Sequence, residues 1–180
     1  MRVLFALAVL LLSACGFHLA GQAPLPEGLR KVYIDTVTPY KVGEPPLEAQ
    51  LRAILQRRGA QVLASANDEA TTIRLSNLDE RREVLSLGTD GKAVEFRVIT
   101  RVHYEVFRGT QTLILPGDLV ASRDYSFEPS QLLAKEAEEL RLRSFIQSEL
   151  AELLMLRLDA TLTHPATAAP AVPAGGAPAP

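Results

Sequence analysis

Between Glu95 and Phe107 apolar and polar side chains alternate. Phe96, Val98, Val102, Tyr104 and Val106 fall on one side; Glu95, Arg97, Arg101, His103 and Glu105 fall on the other. A period of two with one apolar and one charged set predicts a strand with a buried face and a wet face, and hence antiparallel neighbours. Three more strands follow from the same reading. Residues 31–35 alternate and are rich in β-favouring types. Residues 72 to about 87 start with Ile73 and Leu75 on one face, and Asn77-Leu78 then shifts the phase, which predicts a bulge. Gly88-Thr89-Asp90-Gly91 joins that strand to the next as a hairpin, because Asp-Gly suits turns that need positive φ. After a second turn at Arg108-Gly109-Thr110-Gln111, Pro116-Gly117 predicts that the fourth strand begins only near Leu119, since proline interrupts a central ladder.

Two stretches change period. Leu47, Leu51, Ile54 and Leu55 stand at i, i+4, i+7 and i+8 and predict a helix over residues 47–58. Glu44 and Glu48 near its start and Arg57 and Arg58 at its end complement the helix dipole, and Gly59 supplies the stop. A second helix opens at Pro129 and Ser130 and runs to about Leu158, on the order of 40 Å at ~1.5 Å per residue. Its expected apolar face is Leu142, Phe145, Ile146, Leu150 and Leu153. The fold class is therefore α+β: a four-stranded, mostly antiparallel sheet with two helices on one face, in the order β-α-β-β-β-α, forming a single domain over residues 29–160.

The two ends of the chain do not fit this pattern. Arg2 precedes an apolar run from Val3 to Leu12, about half the ~20 residues that span a bilayer, so residues 1–14 read as a signal peptide. The run closes on Leu12-Ser13-Ala14-Cys15, which resembles the lipobox of bacterial lipoproteins. The small residues admit a peptidase, and the thiol of Cys15, the only cysteine, is the nucleophile that takes a lipid. Residues 15–28 then form a Gly- and Pro-bearing tether, and residues 161–180 an Ala/Pro-rich tail that cannot bury a core.

Composition excludes more than it indicates. The formal charge of −2 argues against a nucleic-acid binder. His18, His103 and His164 lack metal-ligand spacing, so no metal or other cofactor is expected. No nucleophile elbow, phosphate loop or dinucleotide fingerprint is present, and Glu136, Glu138 and Glu139 read as acids at a helix start, not as a catalytic pair. An enzyme is not expected. Candidate binding chemistry is cationic: Lys135 in the first turns of the long helix, and Lys92 with Arg97 and Arg101 on the hairpin, groups suited to phosphate.

Four local patterns together resemble the LptE family, the lipoprotein component of the outer-membrane lipopolysaccharide translocon. They are Cys15-Gly16-Phe17-His18-Leu19, the helix over residues 47–58 with Gly59, Gly91-Lys92-Ala93-Val94-Glu95-Phe96, and Pro129-Ser130-Gln131-Leu132-Leu133-Ala134-Lys135-Glu136. The resemblance implies a four-stranded sheet with two helices. It implies a 1:1 plug inside the LptD β-barrel, assistance in assembling that barrel, and direct binding of lipopolysaccharide on its way to the outer leaflet. It also implies an outer-membrane location, lipid-anchored through Cys15 and facing the periplasm and the barrel lumen. Lys135 matches the family's Ala-Lys-acid motif. The family's basic residue in the hairpin loop is matched here by Thr89, with Lys92 and Arg97 nearby. The alternative is an auxiliary envelope lipoprotein of another lipid-transport system.

Overall fold

The computed structural model describes residues 24–38, 43–126 and 132–163, with the backbone only for 132–136. A turn of 3-10 helix at Glu27–Leu29 leads into β1 (Lys31–Thr36). There follow α1 (Pro46–Arg57), β2 (Gln61–Leu63), β3 (Thr71–Leu87), β4 (Ala93–Arg108), β5 (Gln111–Ser126) and α2 (Leu132–Thr163). The strands form one sheet in the order β2-β1-β3-β4-β5. β1 runs parallel to β2 and β3, while β3, β4 and β5 form an antiparallel meander. The α+β class and the β-α-β-β-β-α order hold, with one addition. The fifth strand, β2, is three residues long, too short to show a period, and exists because α1 returns the chain alongside β1.

The local signals explain most boundaries. α1 begins on Pro45-Pro46, where proline's missing N–H costs nothing. It ends at Gly59, whose φ of +89° is the left-handed conformation that glycine adopts freely. The Gly59 N–H donates to Gln56 and the Ala60 N–H to Leu55, which together satisfy the last carbonyls of the helix. The β3 bulge falls at Asn77, with φ +52° and the register shift between Ser76 and Asp79. Asn tolerates that conformation better than most non-glycine residues.

β5 corrects the sequence reading. It starts at Gln111, not near Leu119, and runs straight through Pro116-Gly117. Proline is tolerated because β5 is an edge strand and the β4–β5 register shifts there, between Tyr104 and Val106. Gly117 has its own reason. A Cβ at that position would lie 2.9 Å from the Tyr104 hydroxyl, so the bare backbone makes room for the largest fully buried side chain of the core.

Both helices cover the same sheet face. Leu47, Leu51 and Leu55 of α1 and Ile146, Leu150, Leu154 and Leu158 of α2 close over Val32, Ile34, Ile73, Leu75, Val98, Val102 and Val106. Each such side chain contributes roughly 1.5–3 kcal/mol on burial. α2 departs from expectation in two ways. It continues to Thr163, because Leu162 still packs on the core. Its buried stripe is also rotated: Phe145 is 56% and Leu153 38% exposed, while Ala151, Leu154 and Met155 are inside. The large apolar residues of α2 spread over more than one face, and only the packing selects among them.

The segment before β1 is held at one end of the sheet. The Gly28 carbonyl accepts from the Thr71 hydroxyl and, at 3.2 Å, from Arg108, whose guanidinium also donates to Thr71 Oγ1 at 3.0 Å. Thr71 opens β3 and Arg108 closes β4, so the chain enters opposite the 88–91 hairpin.

The tight fit at Gly117 leads to a prediction. Gly117→Ala should destabilise by about 1–3 kcal/mol through overpacking. The Tyr104 hydroxyl is buried without a hydrogen-bond partner among the described residues, so Tyr104→Phe should be neutral or up to about 1 kcal/mol stabilising. In the double variant the Phe should recover part of the Ala penalty, because the nearest clash has gone. Urea unfolding of the four proteins measures this, and strictly additive effects would contradict the contact.

Candidate functional site

The hairpin end of the sheet gathers most of the residues singled out for binding. The turn closes through Gly88 N–H to Lys92 O at 2.7 Å and Gly91 N–H to Gly88 O at 2.9 Å, with Gly91 at φ +77°. Lys92 sits on this turn with its ammonium 3.4 Å from Asp90. Arg97, on β4, makes a two-pronged contact to Asp124 of β5 at 2.7 and 2.9 Å. That hydrogen-bonded pair lies on the open face; it raises the Arg97 pKa and lowers that of Asp124, so both stay charged. His103 likewise faces Asp118, 2.7 Å away. The wet face expected of β4 is thus a ladder of paired charges. Asp35, Arg74 and Glu105 extend it across β1 and β3. No element of the fold covers this face among the described residues.

Lys135 lies in the opening turn of α2, with its side chain outside the described residues. The helix runs from the hairpin end of the sheet toward the tether end, since Glu139 meets Arg82 and Tyr125 while Gln147 reaches the start of α1. Residue 135 is therefore one turn nearer the hairpin end than Glu139. Cys15 lies outside the described residues.

The densest polar cluster was not among the sequence candidates. Glu139 accepts from Tyr125 Oη at 2.6 Å, from Arg143 at 2.6 and 3.1 Å, and from Arg82 at 3.0 Å. Arg143 also donates to Glu80 at 3.1 Å. Gln147 Nε2 donates to Glu80 at 3.0 Å, and Gln147 Oε1 accepts the Leu47 N–H at 3.2 Å. That last bond caps α1, whose own N-cap is Pro45 and has no side-chain acceptor. Arg82 lies 4.7 Å from the centre of the Phe96 ring, and Phe96 stacks on Tyr125 at 5.6 Å. Glu139 was expected to serve the helix dipole; its packing makes it the hub that ties α2 to β3 and β5. A sequence signal did exist. Glu139, Arg143 and Gln147 stand at i, i+4 and i+8, one stripe of a helix.

The electrostatics of the cluster follow from its partners. Burial works to raise the Glu139 pKa, but the hydrogen bonds from Tyr125, Arg143 and Arg82 outweigh it and the net shift is downward. Burial, followed by donation to Glu139, pushes the Tyr125 phenol up and keeps it a donor. A carboxylate with a depressed folded pKa contributes stability that is full above its unfolded pKa, about 4.3, and is lost as pH falls through the folded value. Glu139→Gln should cost roughly 1.5–3 kcal/mol at neutral pH, the scale of hydrogen bonds to a charged group. It should also reduce the loss of stability below about pH 4. Thermal melts of both proteins from pH 7 to pH 3 check this; parallel curves would contradict it.

Among the described residues no group of three or more His, Cys, Asp or Glu could hold a metal ion, and no helix is long and apolar enough to cross a membrane. The arrangement is an open face of paired charges, with a polar clamp on the other side of the sheet.

Comparison with known proteins fits this architecture. Three solved lipoproteins share the fold. The minor lipoprotein of Acinetobacter baumannii aligns with a TM-score of 0.60 at 22% identity, over 74% of this chain and 92% of that one. Rare lipoprotein B of Shewanella oneidensis aligns at 0.62 and 22%, over 74% and 97%. Lipoprotein B of Nitrosomonas europaea aligns at 0.63 and 23%, over 82% and 93%. In sequence, the chain is 27% identical over 158 residues to the LPS-assembly lipoprotein LptE of Photorhabdus laumondii, covering 88% of this chain and 84% of that one. It is 27% identical over 157 residues to the protein of that name from Pectobacterium atrosepticum, covering 87% and 83%. The model of the LptE family, described as lipopolysaccharide-assembly, matches residues 29–158, which run from the buried Leu29 to the buried Leu158 and so take in every buried apolar residue among those described. The chain belongs to the LptE lipopolysaccharide-assembly family.

Proposed function

We propose that this chain is an outer-membrane lipoprotein, anchored by lipid on Cys15, that lodges as a 1:1 plug in the LptD β-barrel, helps it assemble and binds lipopolysaccharide during delivery to the outer leaflet. It acts by binding and not by catalysis. The observation that supports the reading best is the family match across the entire core. The open sheet face suits the role. A barrel lumen is polar and wet, and Arg97–Asp124, His103–Asp118 and Asp35–Arg74–Glu105 present paired charge to it without a large net field.

For the ligand, Lys135 is the cation proposed to meet lipid phosphates, with Lys92 and Arg97 as secondary contacts. Both hairpin cations are exposed and already paired. The single exposed contact of Lys92 is of the weak kind, so a phosphate can compete for it, whereas Arg97 would have to give up its two-pronged contact to Asp124.

The protein extracted in mild detergent should co-purify with a large β-barrel protein at equal stoichiometry. Recovery of the chain alone, with the barrel present in the same membranes, would remove the plug reading. Capture of an inner-membrane transporter subunit instead would favour the auxiliary lipoprotein alternative. Lys135→Glu should weaken lipopolysaccharide binding by roughly tenfold, the scale of one charge-assisted contact, while the barrel still co-purifies. Unchanged binding would dismiss Lys135 from the site.

A further inference from the structure

β5 is an edge of the sheet, and nothing pairs with its outer side among the described residues. From Gly117 to Ser126 it pairs with β4 in unbroken register, ten residues without a proline or a bulge. Pro116 and the register shifts lie on the Gln111 side of that stretch. Such an edge exposes a row of unpaired N–H and C=O groups, which proteins commonly guard with a bulge, a proline or a charged side chain. Here the charged side chains are drawn back onto their own molecule. Asp118 is held by His103 and Asp124 by Arg97, both on β4, and Arg123 is held by Glu149 of α2.

α2 supplies a flank to this edge. The helix lies over β5 and β4. Arg123 of β5 meets both Glu149, at 2.7 Å, and the Phe145 ring, 5.7 Å from its centre. Phe145, Glu149, Leu153 and Leu156 stand at i, i+4, i+8 and i+11, one stripe of the helix. The stripe follows the β5 edge for about 17 Å. Phe145 is 56% and Leu156 66% exposed, and Leu153 is exposed as well. Three large apolar side chains on one stripe are more than scattered exposure. On the opposite flank, the open face, β5 presents Asp118, Ser122 and Asp124 around Val120. A strand added to this edge thus meets an apolar wall on one face and a mainly polar surface on the other.

We infer that the β5 edge and the α2 stripe receive an unpaired strand of the barrel protein before the barrel closes. This rests on the assembly role proposed above and names the surface that performs it and the segment it takes. An extended polypeptide supplies donors and acceptors at the spacing of a sheet edge, which lipid and sugar do not. Strands of a membrane barrel alternate apolar and polar side chains with a period of two, which matches an apolar wall opposite a polar one. They are about 9–11 residues long, and the regular part of this edge is ten. A strand in a finished barrel is paired on both sides and has no free edge to offer. The contact therefore belongs to assembly and is given up on closure.

The test follows assembly in cells whose only copy of this chain is the full-length lipoprotein, native or carrying one lysine. Val120→Lys and Leu156→Lys each place a charge on one flank of the edge, at exposed positions. Leu115→Lys is the control, because Leu115 is 75% exposed on the same strand but lies outside the regular stretch. Pulse-chase labelling gives the rate of closure, with closed barrel separated from unclosed by its mobility on unboiled gels. Val120→Lys and Leu156→Lys should each slow closure by about tenfold, the scale of one large apolar side chain left unburied. Leu115→Lys should close at the native rate, and all three variants should co-purify with the barrel once it has closed. A native rate in either test variant, equal slowing by the control, or loss of the test variants from closed barrel would each overturn the inference. Native lipoprotein that does not co-purify with the barrel would instead remove the plug and assembly reading, and the inference with it. Should a variant be degraded in the cell, a photo-reactive residue in place of Leu156 gives a second readout. It should crosslink to barrel protein that has not closed. Crosslinks to closed barrel alone, to a second copy of this chain or to lipid would count against the inference.

Discussion

The inner face of the sheet needs a cover along its whole length, and α2 is the element long enough to supply most of it. Its 32 residues run beside strands of 16 and 17 residues. The sheet, however, is not uniformly apolar. Up to Leu78 the core-side positions of β3 are Ile73, Leu75 and Leu78; beyond the bulge they are Glu80, Arg82 and Val84. α2 mirrors this change. Its inward stripe is Glu139, Arg143 and Gln147 over the charged half and Leu150, Leu154 and Leu158 over the apolar half. One helix is therefore attached by two kinds of force, hydrogen-bonded charge toward the hairpin and hydrophobic burial toward the tether.

The two attachments differ in character. Apolar burial is non-directional and tolerates small shifts. A carboxylate that accepts from a phenol and two guanidiniums fixes orientation, because each donor must keep its distance and angle. The Glu139 cluster accordingly sets where the first turns of α2 lie relative to the hairpin, and hence where Lys135 stands relative to Lys92. Gln147 carries the same register to α1 by capping its first turn. Removing one member of such a cluster leaves a half-buried charge short of a partner, which costs more than the loss of an exposed pair.

The bearing on function is geometric. The tether enters at the Arg108 end, the polar sheet face lies open, and the exposed Leu85 and Leu87 sit at the far end. In the role we propose, the first of these regions lies toward the anchoring leaflet and the second toward the barrel lumen. The absence of covalent cross-links leaves the whole arrangement to packing and paired charge, since Cys15 is the only cysteine.

The alternation on β4, the four-residue stripe on α1, the stop at Gly59, the bulge at Asn77 and the turn at Gly91 were all legible before any coordinates. Each is a local property of the chain: a period, a conformational preference or a missing donor. The resemblance to LptE was legible for the same reason, being carried by contiguous words. The tertiary structure decided what depends on which residue comes opposite which. Pro116 sits inside a strand because that strand proved to be an edge. Phe145 and Leu153 face outward because the sheet covers a different arc of α2. Arg82 meets Glu139 across 57 residues and Gln147 meets Glu80 across 67, so no window along the chain contains either pair. Lys92 and Arg97 look like free cations in the sequence and are paired in the fold. The sequence alone thus determined both helices, four of the five strands and the family. Long-range pairing, which follows from the register of the sheet and the rotation of α2, decided which charges are neutralised and which apolar side chains stay exposed.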